Sequence, residues 1–315
     1  MMEDGIARAE LVKQAHASIT QGSHSFAVAS RLFARETRER VWLLYCWCRA
    51  ADDLTDGQEA GHARRVSDPA STDPLMQQER LAMLTGAALD SEAPVPLPYA
   101  ALRQLAREVD IPRQWIGDLL EGFALDAQGW RPHTTDDLLR YCYHVAGSVG
   151  RMMAVVMGID PADTDTLDRA CDLGIAFQLA NIARDIVPDA AAGRVYLPQT
   201  WLDEAGLAAG SLGLPANRET LAGIAGRLVH MARDYRASAR VGAARLPLRS
   251  RLAVLAAEAI YGEIGERVIR KGPSAWDSRV RIIGSQKLAL LAVAAARSTR
   301  RSPVAPRHGL WTAPI

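Results

Sequence analysis

Apolar residues in this chain recur at three- and four-residue spacing, a period that a helix can bury on one face and a strand cannot. Val41, Leu44, Tyr45 and Cys48 form one such stripe, and Leu173, Ala176, Phe177 and Ala180 form another. Ala, Leu and Arg dominate, Phe is rare, and no Asn-Gly or Asp-Gly turn stands between alternating strands. Breakers at 57–74, 94–98, 129–133, 158–161, 188–198, 210–217 and 272–273 divide the chain into roughly ten helical segments. None of them is long or biased enough to serve as an inter-domain linker. The expectation is therefore an all-α chain with a single-domain helical bundle over 1–299. A loose tail carrying Pro303, Pro306 and Pro314 follows at 300–315.

Composition narrows the function. Hydrophobic residues make up 49% of the 315, enough for a large core. The 37 basic and 36 acidic side chains leave a net charge of +1, which gives no electrostatic case for nucleic acid. Cys46, Cys48, Cys142 and Cys171 lie in apolar, helix-like stretches without metal-site spacing and read as reduced core residues of a cytoplasmic protein. Residues 1–21 are charged and polar, with no signal-peptide core. The longest apolar run, residues 288–296, is about half the ~20 residues that a spanning helix needs. The chain is expected to be soluble or, at most, to lie on a membrane.

Two acidic segments carry the chemistry. The first reads Tyr45-Cys-Trp-Cys-Arg49-Ala-Ala-Asp52-Asp53-Leu-Thr-Asp56-Gly57. Four-residue spacing puts Asp52 and Asp56 on one helical face, with Arg49 one turn earlier. The second reads Gln178-Leu-Ala-Asn181-Ile-Ala-Arg184-Asp185-Ile-Val-Pro188-Asp189, and the same arithmetic aligns Gln178, Asn181, Asp185 and Asp189. Like charges at this spacing cost a helix a few tenths of a kcal/mol, about 0.2–0.5, so a pair alone is weak evidence and surface solubility explains it. Two such pairs, each with an arginine and each ending an apolar stripe, point to a hard cation held by oxygen ligands and completed by phosphate. The arginines suit bidentate binding of phosphate oxygens. A calcium loop starting at Asp52 is excluded, since Leu54 takes the third ligand position and Ala63 stands where the closing Glu belongs.

These segments resemble the paired acidic motifs of the squalene and phytoene synthase family, and the likeness covers nearly the whole chain. Gly22-Ser23-His24-Ser25-Phe26 is similar to that family's N-terminal diphosphate-contacting segment. Tyr141-Cys-Tyr-His-Val145-Ala-Gly-Ser-Val149-Gly150 resembles its Val-Ala-Gly motif, and Gly193-Arg194-Val-Tyr196-Leu-Pro198 the stretch after its second acidic motif. Leu246-Pro-Leu-Arg-Ser250 and the region around Trp276 resemble the bacterial carotenoid-pathway branch.

The resemblance implies the class I isoprenoid synthase fold, helices packed around a central cavity. It also implies the head-to-head condensation of two geranylgeranyl diphosphates. Ionisation and attack give a cyclopropylcarbinyl (prephytoene) diphosphate, which ionises again and rearranges to phytoene, with two diphosphates released. By motif, Asp52, Asp56, Asp185 and Asp189 would hold Mg²⁺, with Mn²⁺ as the alternative. Arg49, Arg184, Gln178, Asn181, Ser23, His24 and Ser25 would contact diphosphate. Tyr45, Tyr141 and Tyr261 would line the reaction centre with Val145 and Val149. The final proton goes either to bound diphosphate or to Tyr141. Squalene or dehydrosqualene synthesis from fifteen-carbon donors is the alternative, and no NADPH is expected because no Gly-x-Gly-x-x-Gly occurs. A phosphohydrolase would want His ligands or a water-activating base, and a scaffold that had lost its chemistry would not need complete acidic pairs. A water-insoluble forty-carbon product suggests peripheral contact with the inner face of the cell membrane. Pro188, which lacks an N–H and crowds the Arg184 carbonyl, is expected to kink or end its helix and to leave Asp189 on an irregular turn. Without the family, Tyr141, Tyr143 and His144 read as core residues, with Gly147 and Gly150 allowing close helix packing.

Overall fold

The computed structural model describes residues 7–22, 24–56, 58–59, 63–64, 73–299 and 306–313; Ser23 and the side chains of His24, Ser25, Asp56 and residues 58–64 fall outside that description. The described elements are helical apart from one two-residue antiparallel pairing, Gln58–Glu59 with Ala63–Arg64. The all-α expectation holds. By contacts the chain divides into two compact units, the first of residues 1–128 and 155–161, the second of 129–154 and 162–315.

The first unit contains α1 (Arg8–Gly22), α2 (His24–Ser30), α3 (Arg35–Asp56), α4 (Pro74–Asp90), α5 (Leu97–Glu108) and α6 (Arg113–Ala127). Pro74 opens α4 where its missing N–H costs nothing, and the Asp73 carboxylate caps it by accepting from the Leu75 N–H at 3.0 Å. Its core comes from the predicted period: Leu11, Ala15 and Ile19 of α1, Val41, Leu44 and Trp47 of α3, Leu81 of α4, Leu102 and Leu105 of α5. One carboxylate ties three of these helices. Glu108, at the end of α5, accepts from Arg8 of α1 at 2.6 Å and from Arg40 of α3 at 3.1 Å. Burial alone would raise the Glu108 carboxyl; the hydrogen bonds from Arg8, Gln104 and Arg40 outweigh it and hold the group down at about 2.

The second unit runs through α7 (Thr135–Cys142), a π-helical turn (Tyr143–Gly147), α8 (Ser148–Val156) and the 28-residue α9 (Thr164–Ala191). It continues with α10 (Gln199–Glu204), α11 (Arg218–Ala243), α12 (Leu248–Lys271) and α13 (Gly284–Ser298). A reciprocal Thr134–Asp137 capping box starts α7, and Asp163 caps α9 by accepting from the Thr166 N–H at 3.1 Å. Small residues let the π turn and α8 lie against α9. A Cβ on Gly174 would sit 2.2 Å from the Ala146 carbonyl oxygen, and one on Gly150 would sit 2.3 Å from that of Ala170. The close packing expected at Gly147 and Gly150 is present.

Two findings differ from expectation. The α9 helix does not end at Pro188; it continues to Ala191. Proline there removes only its own bond toward Arg184, and the short remaining turn is closed by N–H groups of Ala192 and Arg194 donating to the Asp189 carbonyl at 3.0 and 2.8 Å. Asp189 therefore stays in helical register with Asp185. Within the segment read as a loose tail, residues 306–313 pack on the second unit. Arg307 donates to the fully buried Asp172 at 2.8 and 2.7 Å and to Asp168 at 3.2 Å, and the Tyr235 hydroxyl accepts from the Trp311 N–H at 3.2 Å. An apolar proline-rich composition says nothing of a bidentate pair 135 residues distant.

Candidate active site

The end of α3 carries the first acidic segment. Arg49 lies half-buried between two carboxylates, 2.9 Å from Asp52 and hydrogen-bonded to Asp53. Burial works against its charge, while Asp53 and Asp52 more than restore it. Its Nε is buried and has no hydrogen-bond partner among the described residues. Tyr45, one turn earlier, packs its ring 5.6 Å from Phe26, and its hydroxyl would lie 2.6 Å from a Cβ on Gly22. Glycine lets the end of α1 lie this close to Tyr45 and Arg49 without displacing the tyrosine hydroxyl. Asp52 is 45% exposed and Asp53 only 18%. Asp53, absent from the sequence reading because that reading paired Asp52 with Asp56, lies four residues from Arg49 and is the more buried of the two carboxylates that hold it.

The C-terminal half of α9 carries the second segment. Arg184 donates Nε to both oxygens of Asp185, at 2.9 and 3.0 Å, and Nη2 to one of them. A second guanidinium, from exposed Arg279, lies 3.7 Å from the same carboxylate. Asn181, one turn before Asp185, has a buried Oδ1 with no hydrogen-bond partner among the described residues. Phe177, on the same helix as Gln178, stacks on Tyr261 of α12 with centroids 4.1 Å apart. Burial pushes the Tyr261 hydroxyl up, with Arg184 pulling weakly the other way. The Trp276 indole donates to the Ala183 carbonyl at 3.3 Å, and Arg218 lies 5.7 Å over its ring. Arg279 and Trp276 left no spacing signal, since a loop brings them to α9.

Tyr141 is buried in the middle of an aromatic stack, 5.7 Å from Trp130 and 4.9 Å from Tyr196. Tyr196 belongs to the Gly-Arg-Val-Tyr-Leu-Pro stretch, which folds back on the end of α9. There a small crevice is lined by Ile182, Ile186, Asp189, Arg194, Val195 and Tyr196 among others. Val145 lies inside the π turn and Val149 just beyond it on α8. Such turns recur at functional positions, and the one extra residue per turn is invisible to periodicity. Asp52, with Tyr45 and Arg49, is thus placed in the first unit, and Asp185, Asp189, Gln178, Asn181, Arg184, Tyr141 and Tyr261 in the second. Ser23 and the side chains of His24, Ser25 and Asp56 lie outside the described residues.

The donors gathered on α3 and α9 are carboxylate and amide oxygens with no His or Cys among them, the set preferred by a hard divalent cation. Among the described residues no three His, Cys, Asp or Glu side chains meet as a ready-made metal cage.

Comparison with known proteins gives these residues a context. The chain is 45% identical over 308 residues to the 15-cis-phytoene synthase of Paracoccus sp. (strain N81106 / MBIC 01143), covering 97% of this chain and 98% of that one. It is 45% identical over 309 residues, with the same coverage, to the 15-cis-phytoene synthase of Pantoea ananas. Among solved structures, a dehydrosqualene synthase superposes with TM-score 0.79 at 25% identity over 92% of this chain and 96% of its own. A squalene synthase from Alicyclobacillus acidocaldarius, at 20% identity over 84% of this chain and 95% of its own, shares the fold with TM-score 0.71. The Squalene/phytoene synthase family description matches residues 19–286, a span that includes both acidic segments and both compact units. With that match and those relatives, the chain belongs to the squalene/phytoene synthase family.

Proposed function

We propose that the chain acts as a phytoene synthase, a prenyltransferase of carotenoid biosynthesis that joins two geranylgeranyl diphosphates head to head. The observation that carries this reading is near-full-length identity of 45% to 15-cis-phytoene synthases, against 25% or less to solved dehydrosqualene and squalene synthases. That difference disfavours the fifteen-carbon alternative. We take the two compact units as parts of one synthase domain over 1–299, since one family description spans both.

In this reading Asp52, Asp56, Asp185 and Asp189 hold Mg²⁺, or Mn²⁺ in its place, whose chemistry is to neutralise charge on the leaving diphosphate. Arg49 and Arg184, held on carboxylates of their own helices, are oriented to share their donors with phosphate oxygens; the partnerless Arg49 Nε is one such donor. Ser23, His24, Ser25, Gln178 and Asn181 complete the diphosphate contacts. The C1–O bond of one substrate breaks with its electron pair going to diphosphate. The second substrate's double bond attacks the allylic cation, and proton loss closes the cyclopropane. A second ionisation, rearrangement and proton loss give phytoene, so no reductant is consumed and no NADPH is required. Tyr45, Tyr141 and Tyr261 present aromatic faces that stabilise cations, in surroundings with Val145 and Val149 that exclude water.

The reading includes a cytoplasmic location with peripheral contact to the inner face of the membrane. No helix of the described residues is long and apolar enough to cross one. Incubation with labelled C15 and C20 diphosphates, with and without NADPH, tests the substrate assignment. Forty-carbon hydrocarbon from C20 at equal yield in both is expected. Thirty-carbon hydrocarbon from C15 with none from C20 would overturn it.

A further inference from the structure

A buried carboxylate paired with an arginine adds little stability that well-packed apolar side chains could not supply; its best-attested use is to fix one geometry. Asp172 of α9 is such a carboxylate, fully buried, and Arg307 is its cation. The Ser238 hydroxyl of α11 donates to the same group at 2.6 Å. Arg307 also turns donors back on its own segment, Nη1 to the Thr312 hydroxyl at 2.9 Å and Nη2 to the Trp311 carbonyl at 3.0 Å. One side chain therefore anchors residues 306–313 on α9 and sets the turn that follows it. The Trp311 N–H, donating to the Tyr235 hydroxyl at 3.2 Å, fixes the far end of that turn. What the turn delivers is the Trp311 ring, 5.6 Å from the ring of Tyr143.

Tyr143 opens the π turn, and the Ser148 N–H donates to its carbonyl from five residues on. Trp311 and the Arg151 guanidinium, 5.4 Å from the ring centroid, both bear on the Tyr143 ring. Both are referred to one carboxylate, because Asp168 accepts from Arg151 at 2.6 Å and from Arg307 at 3.2 Å. The turn has no slack against α9, where a Cβ on Gly147 would lie 2.8 Å from the Cys171 Sγ. It thus rests on α9 at Gly147 and is held at Tyr143 by Trp311 and Arg151. We propose that residues 306–313 form a strap that positions the π turn for the condensation, with Arg307 as its anchor and Trp311 bearing on the turn. Both are positioning residues, acting through Tyr143 and not on the substrate. Their role rests on the function proposed above in one respect: there, Val145 of this turn helps to keep water from the carbocation.

Hydrogen exchange of the full-length protein without substrate tests the strap directly. Trp311→Ala removes the ring but keeps the main-chain bonds to Arg307 and Tyr235. In it the amides of residues 143–149 should exchange at least about tenfold faster, and in Trp311→Phe, which keeps a ring, within about twofold of wild type. Turnover then separates positioning from plain stability. With C20 diphosphate and Mg²⁺, Trp311→Ala should lose about tenfold in kcat while KM changes by less than about twofold. Its ratio of forty-carbon alcohol to hydrocarbon should rise about tenfold, because water that reaches the carbocation bonds through oxygen and loses a proton to give alcohol. Trp311→Phe should restore both. A loss of stability alone would lower the active fraction without moving that ratio. Unchanged exchange in Trp311→Ala, or an unchanged alcohol ratio, would overturn the proposal. If Trp311→Ala does not fold, Trp311→Leu is read by the same two measurements with the same expected results. Wild type that makes no forty-carbon hydrocarbon from C20 counts against the proposed function alone, because exchange is read without substrate.

Discussion

Asp53 and Asp185 do similar work from different positions. Each is mostly buried and each holds an arginine of its own helix, Arg49 in one case and Arg184 in the other. Partly desolvated arginines of this kind are costly to orient in water and already oriented here, which is what transition-state charge stabilisation requires. Replacing Asp185 by Asn keeps the shape, weakens the grip on Arg184 and removes a proposed metal ligand. Turnover should fall on the order of 10²-fold or more, with the thermal midpoint nearly unchanged, as measured by steady-state hydrocarbon formation and calorimetry. Asp52 and Asp185 could be picked out by their i,i+4 spacing to Asp56 and Asp189. Asp53 could have been picked out by its i,i+4 spacing to Arg49, whereas Arg279 could not, because it arrives through a loop.

At the scale of elements, the sequence carried the helices and missed their irregularities. Three- and four-residue spacing located the cores of α3 and α9, and small residues at 147 and 150 announced close packing on α9. Pro188 misled because its cost is confined to one hydrogen bond in a final turn with other donors to close it. The π turn and the docking of 306–313 are set by tertiary contacts that no local period records. Tertiary ion pairs make two predictions. Arg307→Ala leaves the buried Asp172 carboxylate without its cation and should destabilise by about 3 kcal/mol, read by denaturant unfolding of the second unit. Burial already pushes the Asp172 carboxyl up, with Arg307 and Ser238 working against it, which is why the cation matters. In the first unit Glu108 has a lower value folded, about 2, than its ordinary 4.5, so its contribution is present above the ordinary value. It is lost as pH falls through that interval. The stability difference between wild type and Glu108→Gln should therefore shrink on acidification from pH 4.5 towards 2, measured by thermal unfolding at each pH.

For the molecule as a whole, the family match across 19–286 makes the two acidic segments parts of one enzyme, although they belong to separate compact units. In the proposed reading, the oxygen-rich donor set, the two arginines held on carboxylates and the tyrosines would serve to expel diphosphate and tolerate the cation that remains. The reaction's stoichiometry is the direct test. Protein stripped with EDTA and given geranylgeranyl diphosphate should release no diphosphate, and Mg²⁺ should restore two diphosphates per phytoene formed without NADPH. Phytoene forming in EDTA, or diphosphate release with no forty-carbon hydrocarbon in the presence of Mg²⁺, would contradict the account.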